Sequence, residues 1–501
     1  MDSVNPLFPT ANTPPTSKPK KLDANGINFV LQQFKYVYDR NDNVYCQITI
    51  RNKKKFVKID SSDFLSFSQL HISQVYGCSV QARDISGLLP MLRLHALNSG
   101  KLVELNNRFA RIGEDIYIET QNEGDEVIHI NSDGWALTQN PPVIFKSYSH
   151  QVPLPSPVKG GSIHELFDIL SIRHREEEVL ISSWLVSCLF TDIPRPHLWF
   201  IGEKGSGKTT QALCLKKLID PVNRGSFLYK NTGEMAQIID HHAVPFFDNF
   251  TKVTIEISDL LCSTYSGTDF TKRKQYTNDD DFTFSLKKPV LLSSISLGNP
   301  PSDLLDRCIV IEKSGFARTT IPEETLIEKF EEKRAEIFGA ILDAAVETLK
   351  NYRHTEVSNY SRLADFQRIG TAAAIAFGYK KEDFESSFAS NMKNKNFFKL
   401  QSFPVIPLIM KFMEKRDSWQ GTMHQLQQEL LLLADDPQSV NQNPSILSRL
   451  LNHCKDLLKT AGIELIPGSN GSNGKLYTLT RRSLSYSDND EIICEVTDIS
   501  W

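Results

Sequence analysis

The sequence predicts an α/β fold: a parallel sheet interleaved with helices, preceded by an α+β domain and followed by a helix-plus-hairpin unit. Three observations lead there. Short apolar runs at 197–202, 243–248, 289–295 and 308–312 are separated by stretches of helical period, the alternation expected of a parallel sheet. The run HLWFIG feeds directly into a glycine-rich loop, and a helical pattern opens at Lys208. Near the end, two helical stretches precede two strand-like pieces joined by the turn GSNGSNG.

Taken in order, residues 1–22 are rich in Pro, Thr, Ser and Lys, lack periodicity and read as a flexible tail. Residues 23–150 form the α+β domain. YCQITI and KFVKI read as strands around a basic turn (Arg51, Lys53, Lys54, Lys55), Ile85 to Leu97 as a helix, and DIYIETQNEGDEVIHI as a hairpin turning at Asn122 to Asp125. The basic turn is either a solvated hairpin or a DNA contact. HQVPLPSPVKGGS, residues 150–162, reads as a linker. The core occupies 151–325, beginning with helices Ile163 to Ser171 and Glu176 to Phe190. A helical lid region spans 326–400, with helical patterns at Pro322 to Tyr352 and Leu363 to Phe377. Residues 401–485 have the outline of a winged helix: helices Met423 to Ala434 and Ser445 to Ala461, then strands Glu464 to Pro467 and Lys475 to Thr480. Residues 486–501 are an acidic tail.

Composition narrows the function classes. At 501 residues the chain has room for about three domains. No run of about eighteen apolar residues suggests a membrane span, and no basic start with an apolar core suggests a secretory signal. The eight cysteines stand singly, with no CxxC pair, which fits a reduced cytoplasmic protein and disfavours a zinc site. A formal net charge of -4 does not fit a protein that coats DNA by bulk charge, yet a ring can hold DNA on a few basic loops.

The sharpest motif is GEKGSGKT, running from Gly202 through Glu203, Lys204, Gly205, Ser206, Gly207 and Lys208 to Thr209, with Thr210 behind it. It satisfies G-x-x-x-x-G-K-[ST] between a strand and a helix, the context of an ATP-binding P-loop. Gly205 and Gly207 let successive N–H groups turn toward phosphate oxygens, and the helix N-terminus adds partial positive charge. Lys208 is expected on the β and γ phosphates, and the Thr209 hydroxyl on Mg2+. In VPFFDNF an apolar strand ends in Asp248, the carboxylate a Walker B site needs to hold Mg2+. Asn249 stands where a water-activating Glu is usual, so a base comes from elsewhere or Asp248 serves twice. KKPVLLSSI ends in Ser293 and Ser294; Ser293 either orients the attacking water or belongs to a plain serine turn. In SDLLDRCIVIE, Arg307 is either a finger entering a neighbour's site or the partner of a surface salt bridge with Asp303 or Asp306. His241 and His242 read as a helix cap rather than a metal site. There is no HEXXH, no dinucleotide fingerprint, and no primase-like carboxylate cluster before residue 150.

The pieces VPFFDNF, ISDLLCSTYSGTDFTKRKQYT, KKPVLLSSI and SDLLDRCIVIE, in this order and spacing, resemble the helicase-type ATPases of phages and integrated mobile elements. These group with the superfamily 3 and related AAA+ replicative helicases, often fused to or encoded beside primases. DGWAL…PLPSPVKGG, RLADFQRIGTAAAIAFGY and the C-terminal wing extend the resemblance over residues 85–480. It implies an AAA+-like P-loop ATPase core with a C-terminal winged-helix domain, a homo-hexameric ring with ATP between subunits, single-stranded or forked DNA in the pore, and a separate primase. Asp248 and Arg307 match the Walker B and finger positions, and Arg273 in KRKQY matches an arginine near the subunit interface. The chain departs from the pattern at Ser293, where Asn is usual, and at the Walker B pair, where Asn249 takes the place of the second acid and Phe247, rather than an Asp or Glu, stands before Asp248. The expectation is an ATP-dependent DNA helicase or replication-initiation ATPase of a phage or mobile element. The rivals are an ATP-driven protein-remodelling or defence ATPase that unwinds nothing, and an assembly protein that binds ATP without turnover.

Overall fold

In the computed structural model, residues 22–481 are described, except 51–52, 123–125, 230, 251–252, 269, 274–280, 285, 298–299, 314–321, 402, 404, 435, 437–439, 441–442 and 472–473. The tails expected at 1–22 and 486–501 therefore fall almost wholly outside the described residues, as do Arg51 and most of the turn at 122–125. The chain opens with α1 (Ala24–Leu31), whose first turn is capped by the Asp23 side chain accepting from Gly26 N. Next come β1 (Tyr36–Tyr38), β2 (Val44–Ile50), β3 (Lys53–Lys58), α2 (Ser62–Tyr76), α3 (Ala82–Ser86), α4 (Leu89–Ser99) and β4 (Lys101–Leu102). The strands order β3-β2-β1-β4, and Ile27, Leu31, Cys46, Ile48, Phe64, Ile72, Ile85 and Leu92 close a core of their own beneath them. The single helix expected over Ile85 to Leu97 is two helices: α3 ends at Gly87, whose N–H bonds Arg83 O, and α4 restarts with Pro90 in its first turn.

The expected hairpin forms, inside a larger meander. After β5 (Leu105–Asn106) come β6 (Phe109–Ile112), β7 (Asp115–Glu119), β8 (Val127–Asn131) and β9 (Gly134–Thr138), antiparallel in order, then β10 (Ile144–Phe145) beside β5. Alternation puts Ile116, Ile118, Ile128 and Ile130 on one buried face. That face joins the main apolar core of the chain, with Leu166, Trp184, Leu215, Ile337 and Ile341. The Pro/Gly-rich segment at 150–162 thus does not divide two cores; it runs along one.

The core continues with α5 (His164–Leu170), α6 (Arg175–Ser187), β11 (His197–Gly202), α7 (Lys208–Ile219), α8 (Thr232–His241), β12 (Phe246–Phe247), α9 (Ile255–Ser266), β13 (Phe270–Arg273), β14 (Asp281–Phe284), β15 (Leu291–Ser294), α10 (Ser302–Leu305) and β16 (Cys308–Lys313). The four apolar runs seen in sequence become one parallel sheet in the order β12-β15-β11-β16, and a parallel bridge from Phe227 to Phe247 extends it at the outer edge. β13 and β14 form a separate antiparallel hairpin. Then come α11 (Glu323–Asn351), α12 (Ala364–Ala376) and α13 (Lys381–Gln401), which pack against the sheet's helices.

The C-terminal unit comprises α14 (Val405–Met413), β17 (Ser418–Thr422), α15 (Met423–Leu433), α16 (Pro444–His453), α17 (Lys455–Thr460), β18 (Ile463–Gly471) and β19 (Gly474–Arg481), with an antiparallel sheet ordered β17-β19-β18. The helix expected from Ser445 to Ala461 is broken: Cys454 caps α16, and α17 restarts after it. Helical spacing over that stretch turns Ile446, Leu450, Leu451, Cys454, Leu457 and Leu458 toward the core; Leu451, Cys454 and Leu458 are buried and Leu450 partly so, but Ile446 is 39% exposed and Leu447, outside that set, is buried in its stead. No helix among the described residues is long and apolar enough to cross a membrane.

Candidate functional site

The glycine-rich loop leaves the sheet at the carboxyl end of β11, where α/β sheets place their ligands. Gly202 has φ 143, and a Cβ there would lie 2.2 Å from the Lys313 carbonyl oxygen, so only glycine fits beside β16. Gly205 and Gly207 both have φ 82, which curls the loop and turns its N–H groups to one side. α7 starts at Lys208. The Lys208 ammonium folds back into this loop, donating to Glu203 O at 2.5 Å and Ser206 Oγ at 3.1 Å. Burial pushes its pKa below the usual lysine value, and Asp248 opposes that shift.

Asp248 follows β12 directly and is the point of convergence. Its Oδ1 accepts from Thr209 Oγ1 at 3.1 Å, from Asn249 N at 2.9 Å, and from Ser293 Oγ at close range. Among the described residues its Oδ2 receives no hydrogen bond. Parallel register explains the meeting: Phe247 pairs with Leu292, and Leu291 N bonds Pro245 O, so adjacent strands end level. Asn249 sits at φ 54, the left-handed region that Asn tolerates better than most residues. That conformation lets its N–H reach back to Asp248 and, at 3.4 Å, to Ser293 Oγ. Ser294 faces the other way and accepts from Trp199 Nε1 at 2.9 Å. Lys204, Gly205, Gly207, Lys208, Thr209, Thr210, Asp248, Asn249, Ser293, Ser294 and Ile295 line a cleft of about 520 Å³, within the range of small-molecule sites.

Most residues picked from the sequence thus meet at one place: the loop from Gly202 to Thr210 with Asp248, Asn249 and Ser293. Arg307 and Arg273 do not. Arg307 precedes β16 at the end of the sheet opposite the loop, since His197 pairs with Cys308 while Gly202 pairs with Lys313; five strand steps separate them, about 16 Å. Of the two readings left open for it, the structure contains the ion pair with Asp303, whose carboxylate is half-exposed at the surface while the Arg307 side chain is largely covered. Nη1 lies 2.5 Å from Asp303 Oδ1 and donates to Asp303 O at 2.7 Å, and the guanidinium stacks over Tyr265. Arg362 shares the Asp303 carboxylate. Arg273 pairs with Asp281 across the β13–β14 hairpin in backbone register; its side chain and Lys274 lie outside the described residues.

Sequence reasoning missed two features. Glu323, at the start of α11, accepts from Thr210 Oγ1 at 3.2 Å; no spacing in the sequence marks it. Lys216 and Asp220, one turn apart at the end of α7, form a buried ion pair at 2.9 Å, and their i, i+4 spacing was a usable signal. His242 N–H does close α8 onto Ile238 O, as a cap. Burial pushes His241 down to about 4 and His242 to about 2, so both are neutral near pH 7. Among the described residues no three His, Cys, Asp or Glu side chains gather as a metal site.

In the C-terminal unit Arg449, Lys455 and Lys459 are exposed, while residues 472 and 473 of the expected wing lie outside the described residues.

Residues 163–389 match the family model of the actinomycete integrative conjugative element replication protein, and residues 405–489 match the model of that RepA family's C-terminal domain. Among solved structures, the A form apo structure of the NrS-1 C-terminal region is 10% identical, covers 92% of this chain and 100% of its own, and has a TM-score of 0.41. A second apo structure of the NrS-1 C-terminal region is 11% identical, with coverage of 93% and 100% and a TM-score of 0.39. No curated protein matches the chain.

Proposed function

We propose that this chain, a replication protein of mobile-element type, is an ATP hydrolase with an AAA+-like core that works on DNA as a helicase or initiation ATPase. One observation carries the reading: Thr209, Asn249 and Ser293 converge on a single oxygen of Asp248 at the mouth of a loop that also presents Lys208. The strand order supports it, because β11 with the loop lies between β15 with Ser293 and β16, and β12 with Asp248 lies beyond β15. The half-buried Asp248 and Thr209 pairing suits a magnesium ion that arrives with nucleotide phosphates: a hydroxyl and a carboxylate with an unbonded Oδ2 are hard oxygen donors. When bound, the ion supplies charge neutralisation of the transferred phosphoryl group.

The chain's own groups do the rest. The loop N–H groups and the α7 terminus bind phosphate oxygens. Lys208 must swing from Glu203 O to the β and γ phosphates, exchanging a neutral acceptor for a charged one. Ser293 holds Asp248 in place and would be the group that orients a water at the γ phosphate. Among the cleft-lining residues Asp248 is the one carboxylate. Phosphoryl transfer through a loose transition state needs positioning and charge more than a strong base, so Asn249 in place of Glu does not preclude turnover. The exposed Arg449, Lys455 and Lys459 support a winged-helix unit that contacts DNA phosphates. A hexameric ring and a separate primase belong to the same reading.

The test is steady-state phosphate release with no DNA, single-stranded DNA and forked DNA, alongside strand separation. Turnover stimulated by DNA with unwinding is expected. Turnover without unwinding leaves the protein-remodelling ATPase, and nucleotide binding without turnover leaves the assembly protein.

A further inference from the structure

We propose that Arg108, in the antiparallel meander, sets the position of Asp248 through the far end of α7, so that turnover depends on a side chain well away from the cleft; this rests on the nucleotide reading of that cleft. Arg108 stands at φ 55, a conformation unfavourable for a long side chain. It is fully buried. Its guanidinium joins three segments of the chain, donating to Asp220 Oδ1 at 3.2 Å and Pro221 O at 3.0 Å, to Glu119 O at 3.3 Å and to Val152 O at 3.2 Å. A strained backbone and a buried fork whose three nitrogens all find acceptors mark, at one residue, a place where geometry is held against its local preference.

What Arg108 holds leads to the site. Asp220 caps the C-terminal end of α7, about 16 Å along the helix from Thr209. While Oδ1 takes Arg108, Oδ2 takes Lys216 Nζ and the Val244 N–H, both at 2.9 Å. Lys216 Nζ also donates to Val244 O at 2.6 Å. The last turn of α7 therefore grips both backbone polar groups of Val244. Four residues on is Asp248, and between them Pro245 O is bonded by Leu291 N of β15. Thr209 at one end of α7 bonds Asp248, and Asp220 at the other end fixes the strand that carries it. The helix and the strand are clamped at two points, and the meander closes the second. Burial alone would raise the Asp220 pKa; Lys216 and Arg108 more than reverse that and hold it well below the usual carboxylate range. Without Arg108, Oδ1 loses its donor, the Glu119, Val152 and Pro221 carbonyls each lose a hydrogen bond, and the carboxylate is free to turn toward Lys216, taking Val244 with it.

Arg108 is a positioning residue, so its test separates placement from folding. Arg108→Met keeps the stem and removes the fork; Arg108→Lys keeps the charge and a single donor atom in place of the planar fork. Folded protein, checked by thermal unfolding, is assayed for kcat, for affinity toward a fluorescent ATP analogue, and for amide exchange at Val244. Arg108→Met is expected to lower kcat by about 10- to 100-fold, to leave nucleotide affinity within about threefold, and to speed Val244 exchange while the middle of α7 stays protected. Arg108→Lys should recover part of each loss. If Arg108→Met does not fold, Arg108→Lys is compared with wild type on the same three readouts. A folded variant with unchanged kcat and unchanged Val244 exchange overturns the proposal, and so does a parallel loss of nucleotide affinity and kcat. A wild-type chain that binds no nucleotide sinks the reading of the cleft instead, and Val244 exchange still decides whether Arg108 holds the strand.

Discussion

Replacing Asp248 by Asn changes charge while keeping shape. In the wild type one carboxylate oxygen accepts three donors: the Thr209 hydroxyl, the Asn249 amide and the Ser293 hydroxyl. An amide oxygen in the same place can accept all three, each as a neutral rather than a charge-assisted bond, a loss of about 1 kcal/mol apiece. The local cost is therefore about 2–3 kcal/mol at most, discounted because the residue is only half-buried and water screens it. The fold survives that. The Lys208 pKa, already lowered by burial, drops further once the opposing carboxylate is gone. Binding of ATP without Mg2+ is expected to hold or tighten, because a negative charge has left the phosphate site. Hydrolysis is expected to fall by about 10²-fold or more, the scale of losing one preorganised charge contact in a transition state. The assay pairs titration of a fluorescent nucleotide, with and without Mg2+, with phosphate release under saturating ATP. Turnover within threefold of wild type, or loss of nucleotide binding without metal, would refute the role assigned to Asp248.

Lys208→Ala should lose turnover and weaken nucleotide binding by about 1.5–3 kcal/mol, one charge-assisted contact; calorimetry with ATP and phosphate release check both, and wild-type turnover removes the loop from the reading. Arg307→Ala tests whether that arginine leaves Asp303 to serve a neighbour: mixed with Lys208→Ala protein it should regain partial activity, and no rescue in confirmed mixed assemblies makes Arg307 a structural residue. Asn249→Gly should keep stability, whereas Asn249→Val at φ 54 should cost about 1–3 kcal/mol in chemical denaturation; equal stability of the two would show that the left-handed turn carries no strain. Reversing Arg449, Lys455 and Lys459 to Glu should flatten the salt dependence of duplex binding by close to one unit in slope per lost phosphate contact, and an unchanged slope places DNA elsewhere.

The parts of the site legible in sequence were those set by local rules. A strand, a glycine loop and a helix in immediate succession fix Gly202 to Thr210 relative to one another, and an apolar run ending in Asp248 or in Ser293 has few places to go in a parallel sheet. The parts not legible depended on what lay across the fold. The helical pattern over Ser445 to Ala461 carried no sign of the break at Cys454, because either arrangement buries Leu447, Leu451 and Leu458. Asn249 looked like a missing acid, whereas its left-handed backbone gives that residue type a reason of its own. Arg307 followed a short helix and looked exposed; Tyr265 and Asp303 bury it. Arg108 offered no signal, since its acceptors come from residues 119, 152, 220 and 221.

The shared core of the meander bears on how such a chain can be cut or recombined. A boundary at residue 150, where prolines and glycines gather, would strip Ile116, Ile118, Ile128 and Ile130 from the apolar mass around Trp184 and Ile341, leaving both pieces with a wet hydrophobic face and a tendency to aggregate. A boundary between β4 and β5, at residues 103–104, divides the chain where the first sheet already closes over its own interior. Exchange of N-terminal units between related replication proteins should therefore have its seam near residue 103, with the meander travelling alongside the loop and strand it braces.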